Sequence, residues 1–180
     1  MSGDVYAAFR SSSPLAAEFG VLVGRILPTP GPFTAAPESG LFDGSAYSTG
    51  DGVRVALAAR PQGGVFLAYP VGYPEVRVVR LLDIASGTSR DITVTGDVRN
   101  VALSADPAGR LWLSWTQGTQ LRVVHTNPAA TALGSVRFWR PPPGTTDVRT
   151  AATSAGPRGL DVVLTASRGL QTAVWHTRVR

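Results

Sequence analysis

The feature that most constrains this chain is an internal repeat. Segments 49–63, 95–109 and 145–159 align without a gap over fifteen positions, at offsets of 46 and 50 residues. Each opens on Thr-x-Asp, ending at Asp51, Asp97 and Asp147. Each then runs through small apolar residues and closes on x-Pro-x-Gly around Pro61, Pro107 and Pro157. A second glycine returns nine or ten residues past the first, at Gly72, Gly118 and Gly169. Self-similarity at this period marks an array of one supersecondary unit.

Each unit resolves into four strands. Strand A is small and apolar (55–59, 101–105), and the Pro-x-Gly turn after it has proline to pre-set φ and glycine at the favoured fourth place. Strand B is heavier (65–69, 111–115, 162–164), with apolar residues on successive positions, as expected where both faces meet a neighbouring sheet. A glycine-bearing hairpin leads to strand C (76–80, 121–125, 172–176). Strand D is more polar (91–94, 136–139), as suits an outer edge. The start of the chain matches strands B and C at 3–9 and 20–25, followed by a proline-rich stretch at 28–37 and an irregular segment at 38–48.

Four antiparallel strands every 46–50 residues are the grammar of a β-propeller blade. The expected fold is all-β: blades of four antiparallel strands in an incomplete ring, with small residues on strand A because the innermost strands crowd the axis. The units fall at 1–48 (partial), 49–94, 95–144 and 145–180 (partial), about three and a half blades in one section, 1–180. Such a section is read as part of a longer propeller or as one that self-associates through its open edges.

Composition narrows the function classes. With 43% hydrophobic residues in 180 the chain can bury a core, and 20 Gly with 14 Pro fit its many turns. The absence of cysteine removes disulfides, thiol catalysis and cysteine metal sites. No apolar run reaches the length of a membrane helix, and the first residues do not read as a signal peptide. The net charge of +5 comes from 17 basic residues, all arginine, against 12 acidic ones. They are scattered from Arg10 to Arg180 rather than gathered into the stripe that neutralises successive phosphates, so no nucleic-acid partner is expected.

Ser104-Ala105-Asp106-Pro107-Ala108-Gly109-Arg110-Leu111-Trp112 resembles the Asp-box (Ser-x-Asp-x-Gly-x-x-Trp) of sialidase-like propellers, with one residue inserted and placed between strands A and B. The units as a whole resemble the degenerate repeats of secreted bacterial BNR-type propellers. That resemblance implies an extracellular or cell-surface location and a carbohydrate-related role. It specifies no substrate, and the Asp-box is itself a structural turn.

Candidate site residues follow from the topology expected of a blade. The D-to-A connections, carrying Asp51, Asp97 and Asp147, open on the same rim as the B-to-C hairpins, which carry Tyr73, Gln117 and Arg168. Three carboxylates from successive blades suit a sugar hydroxyl, a cation or a basic partner, and Tyr73 and Arg168 suit stacking or carboxylate recognition. The same aspartates also suit local turn chemistry. His125 and His176 each stand seven residues past a hairpin glycine, with Arg25 and Arg80 read at the corresponding place of the other units. No acidic cluster accompanies either histidine, so no metal and no cofactor are expected.

No pair of carboxyls is marked out for glycoside hydrolysis, and no nucleophile elbow or phosphate loop occurs; no catalytic residue is assigned. The function expected is a non-catalytic module presenting loops to a glycan or protein ligand. The alternatives are a fragment of a sialidase or other glycoside hydrolase, and a pure scaffold.

Overall fold

β-Branched and aromatic residues in alternation, punctuated by glycine turns, leave this sequence little but strands to form. The computed structural model describes residues 3–11, 20–39, 55–72, 76–96 and 98–180. Among these there is no helix, and the strands form four antiparallel sheets. The first sheet holds β1 (Val5–Ser11), β2 (Gly20–Leu27) and β3 (Thr34–Ala35). The second holds β4 (Ala56–Ala59), β5 (Val65–Val71), β6 (Val78–Asp83) and β7 (Ser89–Thr93). The third holds β8 (Val98–Ala105), β9 (Leu111–Gln117), β10 (Gln120–His125) and β11 (Arg137–Trp139). The fourth holds β12 (Thr146–Gly156), β13 (Gly159–Arg168) and β14 (Gln171–Val179).

The sheets stack face to face in chain order without closing a ring. Val21 and Val23 of the first sheet pack against Leu67, Tyr69, Val71 and Leu82 of the second. The opposite face of the second sheet, with Phe66, Ala68, Val79 and Leu81, packs against Leu103, Leu111, Leu113, Trp115 and Val124 of the third. Trp112, Leu121 and Val123 then meet Leu160, Val162, Leu164 and Ala166 of the fourth. Each sheet thus has a forward face, toward the next sheet, and a backward face. Of the first strands of the last three sheets, β4 and β12 both lie against β8, and small residues recur along them: Ala58 and Ala59, Ser104 and Ala105, Ser154 and Ala155.

The turn between β8 and β9 is fastened by a carboxylate that the other units lack, Arg60 and Gly156 standing at the matching positions. Asp106 N–H donates to Arg110 O and Gly109 N–H to Asp106 O, both at 2.9 Å. The Asp106 carboxylate, with no exposed surface, accepts from Arg110 N–H at 3.0 Å, Arg110 Nε at 2.7 Å and Trp112 Nε1 at 3.1 Å. Burial alone would raise its pKa; the hydrogen bonds from Trp112 and Arg110 outweigh it and hold the carboxyl below its ordinary value.

The fourth sheet departs from the repeat. In the second and third sheets Ala59 pairs with Val65 and Ala105 with Leu111, whereas Ala155 pairs with Leu160. The turn is one residue shorter, Gly156 facing Gly159 across Pro157 and Arg158. A one-residue slip exchanges the two faces of a strand, so Val162 and Val163 do not occupy the places of Trp112 and Leu113 that a gap-free alignment gives them. Leu160, Val162, Leu164 and Ala166 are buried against the third sheet, and Asp161, Val163, Thr165 and Ser167 face outward.

Two outcomes follow. Gly159 has φ +120°, and a Cβ there would lie 2.1 Å from Val179 O. Gly159→Ala is expected to cost about 3 kcal/mol or more in urea unfolding, from strain and backbone collision together. Asp106→Asn is expected to cost about 2 kcal/mol at neutral pH, since charge-assisted bonds are lost in a buried site. Because the native pKa is depressed, that contribution is fully present above the ordinary carboxylate range and is lost progressively below it, as pH falls toward the lower native value. The gap between wild type and Asp106→Asn should therefore begin to narrow only below about pH 4.

Candidate functional site

The rim where strand A begins and strand B ends gathers the described part of the expected site. Asp51, Asp97 and Tyr73 lie outside the described residues. Asp147, Gln117 and Arg168 lie within them, on the third and fourth sheets.

Asp147 sits in the left-handed region at φ 52°, where Asp and Asn are the best tolerated residues after glycine. Its carboxylate forks onto the guanidinium of Arg149, two residues on, with Nε at 3.2 and 3.1 Å from the two oxygens and Nη2 at 2.7 Å from Oδ2. Arg99, at the start of β8, approaches the same carboxylate at 4.0 Å. Asp147 lies inside β12, at the register irregularity between Thr146 and Arg149, and not in the turn expected of it; its carboxylate binds arginine where local amides were the expected partners. The two arginines were not picked out from the sequence; the Asp-Val-Arg triplet shared by 97–99 and 147–149 was the signal available.

Gln117 ends β9, and its side-chain amide donates to the Thr95 carbonyl, in the connection that leads into β8. Its amide is therefore engaged in closing the sheet's own end. Arg168 ends β13, exposed beside Gly144, whose Cβ position lies 3.9 Å from Nε. Asp147 and Arg149 join Thr165, Ser167 and Thr172 in lining a shallow cavity of about 260 Å³. Here an acceptor–donor pair stands beside three hydroxyl-bearing side chains.

The histidines separate. His125, paired across the ladder with Trp112, stacks on its ring at 4.7 Å between centroids, with Nδ1 2.9 Å from Thr126 O. His176, paired with Val163, places Nε2 2.8 Å from Asp161 Oδ1 on the outward face of the fourth sheet. Counted from the hairpins, Arg25 does match His125, but the equivalent in the second sheet is Asp83, paired with Phe66. Arg80 is one of the inter-sheet clamps. Largely buried, it forks onto Asp91 with two bonds of 2.7 Å and reaches Pro37 O at 3.3 Å and Glu38 at 2.6 Å. Beside it Tyr69 donates to Pro37 O at 2.9 Å, and burial pushes the phenol up to about 12. Among the described residues no group of three metal-ligating side chains occurs.

A larger cleft of about 880 Å³ opens on the opposite rim between the first and second sheets, lined by Asp4, Tyr6, Arg60, Gln62 and Ile84. Its polar groups are engaged in structure: Asp4 faces Arg25 at 3.9 Å, Arg60 donates to Gly109 O at 2.9 Å and to Pro128 O, and Gln62 donates to Pro107 O at 3.2 Å.

No protein-family model matches the chain, and neither does any curated protein. Among solved structures it is similar to a novel alpha-L-arabinofuranosidase from Clostridium thermocellum, with a TM-score of 0.44 and 12% identity, over 99% of this chain and 70% of that one.

The local role of Asp147 is separable from its charge. Asp147→Asn keeps a residue suited to positive φ and weakens only surface ion pairs, to Arg149 and Arg99, so unfolding free energy should change by less than about 1 kcal/mol. Asp147→Val puts a β-branched residue at that φ and should cost about 2 kcal/mol or more. Thermal and urea unfolding of the two variants read the difference.

Proposed function

We propose that this chain is a non-catalytic propeller section that binds an acidic glycan at the rim of the fourth sheet. The observation that carries this reading is the cavity in which the Asp147–Arg149 pair stands beside Thr165, Ser167 and Thr172. Vicinal sugar hydroxyls need adjoining donors and acceptors, which such a cluster supplies. Arg168 nearby adds a guanidinium suited to a uronic or sialic carboxylate. The likeness of segment 104–112 to the Asp-box agrees with a carbohydrate-related role, although that turn lies on the opposite rim.

The second reading is a section of a glycoside hydrolase. It is favoured by one point of sequence: the repeat gives Asp97, outside the described residues, as the counterpart of Asp147, and hydrolysis requires two carboxyls. Affinity electrophoresis in gels containing polygalacturonate or neutral xylan, with a reducing-sugar assay on the same material, tests both. Binding to polygalacturonate is expected, weakened about tenfold in Arg149→Gln or Arg168→Gln, as for loss of one charge-assisted contact. It should be unchanged in Arg158→Gln, an exposed arginine of the β12–β13 turn on the opposite rim. Equal weakening by Arg158→Gln would mean unspecific attraction of a cationic protein. No retardation in either gel would sink the reading, and sugar release by the wild type would favour the hydrolase.

A further inference from the structure

The two ends of the stack have different chemistry. On the backward face of the first sheet, Val5 pairs with Leu27, Ala7 with Gly24 and Phe9 with Leu22, and Leu22 pairs in turn with Ala35. Phe33 covers part of this face, its ring 5.1 Å from that of Phe9 and seated over Gly24, where a Cβ would come within 3.0 Å. Val5, Phe9 and Leu27 remain 42%, 45% and 53% exposed, three of the seven exposed large hydrophobics among the described residues, gathered on one face. None of these residues is charged.

The forward face of the fourth sheet is built the other way. Arg178 holds Asp161 through bonds of 2.9 and 3.0 Å, and His176 stands on the same carboxylate at 2.8 Å. Arg178 first and His176 second keep that carboxyl below its ordinary pKa. Thr165, Ser167 and Thr172 add hydroxyls to the same face, on which Val174, paired with Thr165, is the exposed large hydrophobic; a mostly polar surface is of the kind that terminates repeat arrays.

We propose that the backward face of the first sheet is a self-association surface, on which the same face of a second copy seats about a two-fold axis. In the second, third and fourth sheets the backward face is covered by the forward face of the preceding sheet, so an apolar cover is what this position takes throughout the molecule. The exposed forward face of the fourth sheet is a poor cover, because docking it would desolvate the Asp161–Arg178–His176 network. A second first sheet presents matching apolar chemistry and no like charge, and an isologous contact closes at two copies instead of growing into a filament. Two strands of seven and eight residues, with a two-residue third at the edge, make a patch roughly 23 by 10 Å, small for a stable complex. The dimer is accordingly a weak one, with a dissociation constant on the order of tens of micromolar.

Sedimentation velocity across about 5–500 µM brackets that affinity. A monomer–dimer equilibrium is expected for the wild type, abolished in Phe9→Asp and unchanged in Val174→Asp, which alters the forward face of the fourth sheet. Thermal unfolding checks that Phe9→Asp is folded; if it is not, Leu27→Asp probes the same face from β2. A wild type that stays monomeric throughout overturns the proposal. So does a series growing past the dimer, or a dimer lost in Val174→Asp, either of which would indicate head-to-tail contact.

Discussion

Burial of both faces of the second and third sheets is the constraint on which the rest of the molecule depends. In β5 six consecutive residues, from Phe66 to Val71, are buried, alternately toward the first sheet and the third. At about 1.5–3 kcal/mol for each large apolar side chain, that one strand accounts for roughly 10 kcal/mol as an upper estimate. This is comparable to the whole net stability of an ordinary domain. A sheet of this composition cannot stand with one side in water, so the second sheet requires a neighbour on each side. The same holds for the third, where β9 is buried from Leu111 to Thr116. The stacked order follows from that requirement.

Apolar stacking is non-directional, and the register between sheets is set by polar clamps at each junction. Arg80 and Tyr69 of the second sheet both hold Pro37 O beyond the first sheet. Arg60 and Gln62 of the second sheet's turn hold the main-chain carbonyls of Gly109 and Pro107 in the third. Ser104 Oγ accepts from Ala155 N–H at 2.9 Å between the third and fourth. Arginine suits this work better than lysine, because a planar fork engages two acceptors at once and is lightly hydrated. Exclusive use of arginine thus has a structural consequence here, whatever its origin, and several arginines of the net positive charge are committed to structure.

The repeat made the fold legible. Gly63 and Gly109 at positive φ, with a proline two residues earlier, mark the same turn twice, and the strands follow at fixed distances from it. What the repeat concealed was the single-residue contraction at 156–159. The Pro-x-Gly motif is intact there, so an alignment of residue types runs through it unbroken; only the pairing of Ala155 with Leu160 shows the slip. The alternation of Leu160, Val162, Leu164 and Ala166 with Asp161, Thr165 and Ser167 was visible in the sequence. It is the pattern of a strand with one face in the core, whereas β5 and β9 have none of it. The site was less legible, because partners are a matter of geometry. Asp147 was recognisable from its repeat, but its fork onto Arg149 goes with a φ of 52° at an irregularity inside β12, which residue types do not announce. Likewise, Arg80 and His125 lie near each other in a count from glycine and on different faces in space.

The carboxyls also bear on what kind of chemistry the molecule is disposed to. Acid catalysis on a glycoside needs a carboxyl kept protonated, held up by burial or by a like charge. Here the two whose pKa departs clearly from the ordinary value, Asp106 and Asp161, are both displaced downward, by hydrogen bonds from Trp112 and Arg110 in one case and from Arg178 and His176 in the other. Asp147 and Asp91 likewise face guanidinium groups at 2.7 Å. For Asp106 and Asp161 those hydrogen bonds favour the anion, so both serve as hydrogen-bond acceptors in the fold.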